Sequence, residues 1–195
     1  RCGAEVITVK AEWGRIIEPD ALKAAFKAKK QVKLLALVHA ETSTGVLQPL
    51  EQAARLAKEH EALFLVDTVT SLGGQEVAVD DWGIDICYSG TQKCISCPPG
   101  LSPFTANQKA LAVLKQRKNK VQSWYLDLSL LLGYWSSSRF YHHTAPISMV
   151  YALHEALALI ADEGLEARIK RHARFASALR AGLEAMGLTL HADKD

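Results

Sequence analysis

Three short segments carry the residue types that chemistry needs: Glu41-Thr42-Ser43-Thr44-Gly45, Asp67-Thr68-Val69-Thr70-Ser71 and Ser89-Gly90-Thr91-Gln92-Lys93. Each follows an apolar run: VKLLALVH over 32–39, ALFLV over 62–66 and IDICY over 84–88. Runs of this length read as strands, the first of them buried on both faces. In an open α/β sheet, ligands collect at the carboxyl ends of the strands, which is where all three segments fall. Lys93 brings an amine to such an end, and a lysine amine can condense with a carbonyl. Asp67 brings a carboxylate, which can serve a positively charged ring nitrogen. A lysine and an acid so arranged are the pair found in pyridoxal phosphate sites. Taken singly, each has a plainer reading. A lysine after a strand is usually a surface residue, and an aspartate there is usually a turn or cap acid.

The elements that must position these residues follow from the patterning. Glu5 to Lys10 (EVITVK) alternates and reads as a strand. Pro19-Asp20 opens a helix over 21–30, and Pro49 occupies the first turn of a helix over 50–60. Leu101 to Thr105 reads as a further strand, pairing antiparallel. Helices are expected over 108–115, 127–134, 148–161 and 165–186, with Gly164 interrupting the last two and Gly187 as a C-cap. Leu188 to His191 would begin a new strand. Strands alternating with ten-residue helices predict an α/β fold: a central, mostly parallel sheet flanked by helices. A boundary near 162–164 would separate residues 1–163, part of a large domain, from 164–195, the start of a smaller α/β domain.

Composition excludes several classes. The chain has 195 residues, 49% hydrophobic and 23% charged, which is globular rather than disordered or fibrous. Net charge is +2, from 23 basic and 21 acidic residues, so neither nucleic acid nor an anionic membrane is expected as a partner. No apolar run reaches the roughly 18–20 residues that span a bilayer. Four cysteines, Cys2, Cys87, Cys94 and Cys97, make no disulfide framework, and a reducing compartment is expected. The chain opens without an initiator Met and closes just after an incipient strand, so it reads as an internal segment of a longer polypeptide.

Other motifs have bland readings. Cys94-Ile95-Ser96-Cys97 has CxxC spacing but no second pair for zinc, and small loop residues account for it. His142-His143 in an extended stretch would point to opposite sides, with no third ligand nearby, so no metal is expected. Gly73-Gly74 and Pro98-Pro99-Gly100 are turn punctuation, and no GxGxxG occurs. The lysines at 27–30 and the basic run over 115–120 read as solvated helix ends that complement the helix dipole.

The segments HAETSTGVLQPL, ALFLVDTVTSLGG and YSGTQKCISCPPG, in that order, resemble the fold-type I, class V aminotransferases. Tyr141-His142-His143-Thr144 resembles the alanine–glyoxylate and serine–pyruvate branch. The resemblance covers essentially the whole chain. It implies a pyridoxal 5′-phosphate enzyme in which Lys93 forms a Schiff base with the cofactor and Asp67 holds the ring nitrogen protonated. Val69 would pack against the ring, and Thr42 and Gln92 would contact the cofactor. Thr42 stands where serine is the commoner residue. Tyr141 and Thr144 would reach the cofactor phosphate of a neighbouring subunit, which implies a homodimer with shared sites. The reaction implied is transamination between a small amino acid, alanine or serine, and a 2-oxo acid, glyoxylate or pyruvate.

The family's phosphate loop and the aromatic residue over the ring would precede Arg1, and its substrate-clamping arginine would follow Asp195. This segment would then hold only the Schiff-base half of a site, and activity of the segment alone is doubtful. Cytoplasm is the expected location, with peroxisome and mitochondrion left open by the resemblance. Two other class V activities stay open, an aminoethylphosphonate transaminase and a cysteine desulfurase-like lyase. A truncated, non-catalytic domain serving in assembly or binding stays open too.

Overall fold

The structure is a computed structural model and describes residues 3–29, 31–137 and 139–192. Helix α1 (Pro19–Lys27) begins with proline at its first position, carries Asp20 in the first turn and Lys27 in the last, and buries Leu22 and Phe26 one turn apart. Strand β1 (Leu34–Val38) follows, then α2 (Glu51–Glu59), whose buried face is Ala53, Ala54, Leu56 and Ala57. Strand β2 (Leu63–Asp67) pairs parallel with β1 and with β3 (Ile86–Tyr88). Strand β4 (Phe104–Ala106) closes the order β1-β2-β3-β4 antiparallel to β3, as expected for the segment after Leu101.

Helix α3 (Gln108–Lys115) is capped by Asn107, whose side chain accepts from the Ala110 amide. Helix α4 (Leu128–Trp135) is capped by Asp127 on the Ser129 amide. Helices α5 (Ile147–Glu163) and α6 (Leu165–Ala185) meet at Gly164, which has φ 81°. Gly187, also at positive φ, ends α6 by donating its amide to the Glu184 carbonyl.

The core lies on one face of the sheet. Leu35, Leu37, Phe64, Val66 and Cys87 pack there against Leu22 and Phe26 of α1 and the alanines of α2. Each large side chain fully buried there, such as Phe64 and Val66, contributes roughly 1.5–3 kcal/mol. By the twofold alternation of strands, Leu63, Leu65 and Asp67 of β2 and Ile86 and Tyr88 of β3 share the opposite face. A second, smaller cluster joins Ile95 and Cys97 to Leu72 and to Ala152, Leu153, Ala156 and Ile160 of α5. That cluster seats α5 under the loop that carries Lys93.

Four expectations are corrected. EVITVK forms no strand: Val6 is 74% exposed, and among the described residues no neighbouring strand gives the segment a ladder, so alternation alone does not make it one. β1 is not buried on both faces, because Leu34 and Val38 are each 42% exposed on the uncovered side of an edge strand. Pro49 precedes the second helix instead of entering it, with Leu50 at the N-cap. The strand expected to begin over Leu188 to His191 does not form: 188–192 is irregular, and none of the described strands pairs with it. Among the described residues no helix is long and apolar enough to cross a membrane.

Candidate active site

Asp67 is the last residue of β2 and Tyr88 the last of β3, and the two are paired in register. Their side chains therefore leave the same face at adjacent strand ends, and they bond directly. Tyr88 Oη donates to Asp67 Oδ2 at 2.5 Å, while the Val69 amide donates to Asp67 Oδ1 at 2.8 Å. The bond to the carboxylate, then burial, then the charge of Asp67 push the Tyr88 phenol up to about 12. A carboxylate offers about four acceptor positions, and the two bonds leave capacity for another donor.

The strand ends are fixed beneath this pair. Thr68 is fully buried, and its amide and hydroxyl both donate to the Tyr88 carbonyl, at 2.8 and 3.0 Å. In return, the Ser89 hydroxyl donates to the Thr68 carbonyl at 3.0 Å. The β1 end is tied to the same loop three times. His39 donates its amide to the Asp67 carbonyl, its ring Nδ1 meets the buried Ser71 hydroxyl at 2.9 Å, and Thr42 meets Thr70 hydroxyl to hydroxyl at 2.6 Å. Burial pulls the His39 imidazole down, against the nearby charge of Glu51.

Lys93 sits in the loop after β3. The Ser96 amide closes a turn on the Lys93 carbonyl at 2.9 Å, the Cys97 amide donates to the Thr91 carbonyl, and the buried Thr91 hydroxyl donates to the Pro98 carbonyl. The residue after the lysine ties this loop to the Asp67 loop: Cys94 Sγ donates to the Thr70 carbonyl at 3.3 Å. Gly74 makes that approach feasible, because a Cβ there would come within 2.4 Å of Cys94 Sγ. Burial pushes the Cys94 thiol up, opposed by the charges of Arg168 and Lys93.

Five of the seven expected site residues thus lie on three adjoining strand-end loops: Thr42, Asp67, Val69, Gln92 and Lys93. Gln92 is exposed, its amide lying over Gly90. Tyr141 and Thr144 are not joined to this group. Their hydroxyls meet each other at 2.8 Å on an exposed segment, with Tyr141 76% exposed. His142 and His143 do not point apart as expected. Their Nδ1 atoms lie 2.9 Å from each other, with His142 buried and its ring stacked on Trp124. No cluster of metal-ligating groups occurs among the described residues.

A cavity of about 1170 Å³ lies at the opposite end of the sheet, lined by Val32, Leu63, Ile86 and α3, away from Asp67 and Lys93. The site is recognised by its side chains and hydrogen bonds and not by concavity. Sequence reasoning missed Tyr88. The signal was available, since Tyr88 ends an apolar run just as Asp67 does.

The sequence pattern of the family Aminotransferase class-V matches residues 1–195. The chain belongs to that family. An uncharacterized aminotransferase of Methanocaldococcus jannaschii is 44% identical over 188 residues, covering 96% of this chain and 49% of the relative. The (S)-ureidoglycine–glyoxylate transaminase of Bacillus subtilis is 41% identical over 211 residues, 99% of this chain and 50% of the relative. The crystal structure of an alanine–glyoxylate aminotransferase from Nostoc sp. superposes with TM-score 0.95 at 49% identity, over 98% of this chain and 51% of that one. The fold is therefore that of the fold-type I aminotransferases, and the chain spans about half the length of the relatives it matches.

Proposed function

We propose that the protein carrying this chain transfers an amino group from a small amino acid, alanine or serine, to glyoxylate or pyruvate, using pyridoxal 5′-phosphate held on Lys93. The observation that carries the reading is the coupling of the two loops: the Asp67 carboxylate, already oriented by Tyr88 and Val69, sits on the loop to which the residue after Lys93 is bonded. The donor set fits the cofactor, with an amine for its aldehyde and a carboxylate with spare acceptor capacity for its ring nitrogen. Bound there, the cofactor supplies an electron sink for the charge left when a donor's Cα loses its proton.

Lys93 Nζ would hold the aldehyde and, when freed by the donor amine, take the Cα proton as general base. Asp67 would keep a proton on the ring nitrogen, with Tyr88 and the Val69 amide fixing the direction of the carboxylate. Val69 would line the ring, and Thr42 and Gln92 would donate to cofactor oxygens. Tyr141 and Thr144, paired on an exposed segment, would serve the phosphate of a second subunit in a homodimer with shared sites. Residues 1–163 would form part of the cofactor-binding domain and 164–195 the start of a smaller one. A cytoplasmic location accords with the three described cysteines, all unpaired.

Glyoxylate recurs in the names of the Bacillus and Nostoc proteins, which supports it as acceptor. The Bacillus relative, matched over 99% of this chain, favours (S)-ureidoglycine as a second reading of the donor. The test is borohydride reduction of the protein with pyridoxal phosphate, followed by peptide mass mapping and by turnover with alanine, serine or ureidoglycine plus glyoxylate. A pyridoxyl mark on Lys93 and turnover with one of these donors are expected. An unmarked Lys93 refutes the reading.

A further inference from the structure

Arg168 lies in the first turns of α6, distant in sequence from every strand-end motif, yet it is buried. Its guanidinium reaches the loop that carries Lys93. Nη2 donates to the Cys94 carbonyl at 2.7 Å and to the Ser96 hydroxyl at 3.1 Å. Nη1 donates to Glu163 Oε2 at 2.8 Å, and Glu163 also takes Arg171. Nε is buried without a hydrogen-bond partner. A buried donor left unpaired is costly, so the side chain holds this position for the contacts its other nitrogens make.

Those contacts bear on one short turn. The Cys94 carbonyl and the Ser96 side chain flank the bond from the Ser96 amide to the Lys93 carbonyl, and Ser96 adopts φ 63°, an unfavourable value for a residue with a Cβ. A guanidinium is a rigid fork, able to hold two acceptors at fixed spacing where an ammonium holds a point. The same helix meets the Asp67 loop, where the His172 ring lies within 3.3 Å of the Cβ position of Gly74.

We infer that Arg168 is a positioning residue for Lys93: by clamping the Cys94 carbonyl and Ser96 to the start of α6, it fixes the turn from which the lysine amine projects. The inference rests on the reading of Lys93 as the cofactor lysine. Arg168→Met keeps the volume and removes the donors, and Glu163 retains Arg171.

The experiment uses the protein in its naturally expressed length, freed of cofactor. It follows the rate at which pyridoxal phosphate and cyanoborohydride mark Lys93, alongside amide hydrogen exchange at 94–97 and the unfolding midpoint. In Arg168→Met, marking of Lys93 should slow at least tenfold and exchange at 94–97 should rise, while exchange in β2 and β3 stays as in the wild type. Arg168→Lys, which retains the charge but not the fork, should slow marking several-fold with an unchanged midpoint. It decides the matter where the methionine variant does not fold. Marking within twofold of wild type in a folded variant, with exchange at 94–97 unchanged, overturns the role of Arg168 and leaves Lys93 intact. A wild-type protein marked elsewhere and not at Lys93 overturns both.

Discussion

Tyr88 Oη and Asp67 Oδ2 meet at 2.5 Å across two parallel strands whose last residues are in register. The carboxylate thus has a dedicated donor from within the sheet, and the phenol is held neutral up to about 12. The ordinary value is 10, so the folded state favours the protonated phenol. That contribution to stability is whole below about pH 10 and is lost as pH rises through about 12. Removing the anion removes the cause. In Asp67→Asn, ultraviolet difference titration should show Tyr88 ionising close to the ordinary tyrosine value. A phenol still titrating near 12 would show that burial and not Asp67 sets it.

Asp67→Asn also tests the catalytic reading. On that reading the ring nitrogen would no longer be kept protonated, and turnover with glyoxylate should fall by several orders of magnitude. Tyr88→Phe leaves the charge and removes only its orienting donor, so a smaller loss, on the order of tenfold, is expected from a hydrogen bond to a charged group. Steady-state rates of the two variants, measured side by side, check the order.

Lys93→Ala should abolish the borohydride-fixed mark and lower turnover by about 10³ or more, the scale of a lost general base together with covalent attachment. Spectra of the reduced protein and the half-reaction with the amino donor give both readings.

Glu163 responds to acid. Arg171 first, and Arg168 after it, hold its carboxyl at about 2, down from an ordinary 4.5. A depressed acid stabilises the fold above its unfolded value, so the contribution is present above about pH 4.5 and lost as pH falls through about 2. In Glu163→Gln the wild-type loss of stability across that window should shrink, as read from urea midpoints at successive pH values.

Gly74→Ala should cost about 1–3 kcal/mol by overpacking, since the new methyl would lie 2.4 Å from Cys94 Sγ. Denaturant unfolding measures the loss. Slower marking of Lys93 in the same variant would follow from displacement of Cys94.

Much of this arrangement was legible in the residues. ALFLV ending at Asp67 and the helix over 108–115 stand where patterning puts them, because a strand packed on a core must be apolar and a helix needs a cap; IDICY is a strand only over its last three residues, and the antiparallel strand expected over 101–105 lies at Phe104–Ala106. EVITVK failed because strand formation depends on a neighbour, which alternation cannot supply. Tyr88 escaped notice because its role depends on cross-strand register. Arg168 did too, because its partner Cys94 is 74 residues away and arginines on helices usually face water. The convergence of His142 and His143 was not legible for a similar reason: the ring on which His142 stacks, Trp124, is distant in sequence.

The Thr68–Ser89 fastening carries a consequence for how this fold can change. Sliding β2 by a single residue would swing its acid to the side now occupied by Phe64 and Val66, among hydrocarbon, where an ionised oxygen has no hydration. The register of β2 therefore fixes the side of the sheet on which Asp67 stands, and with it the bond to Tyr88 of β3.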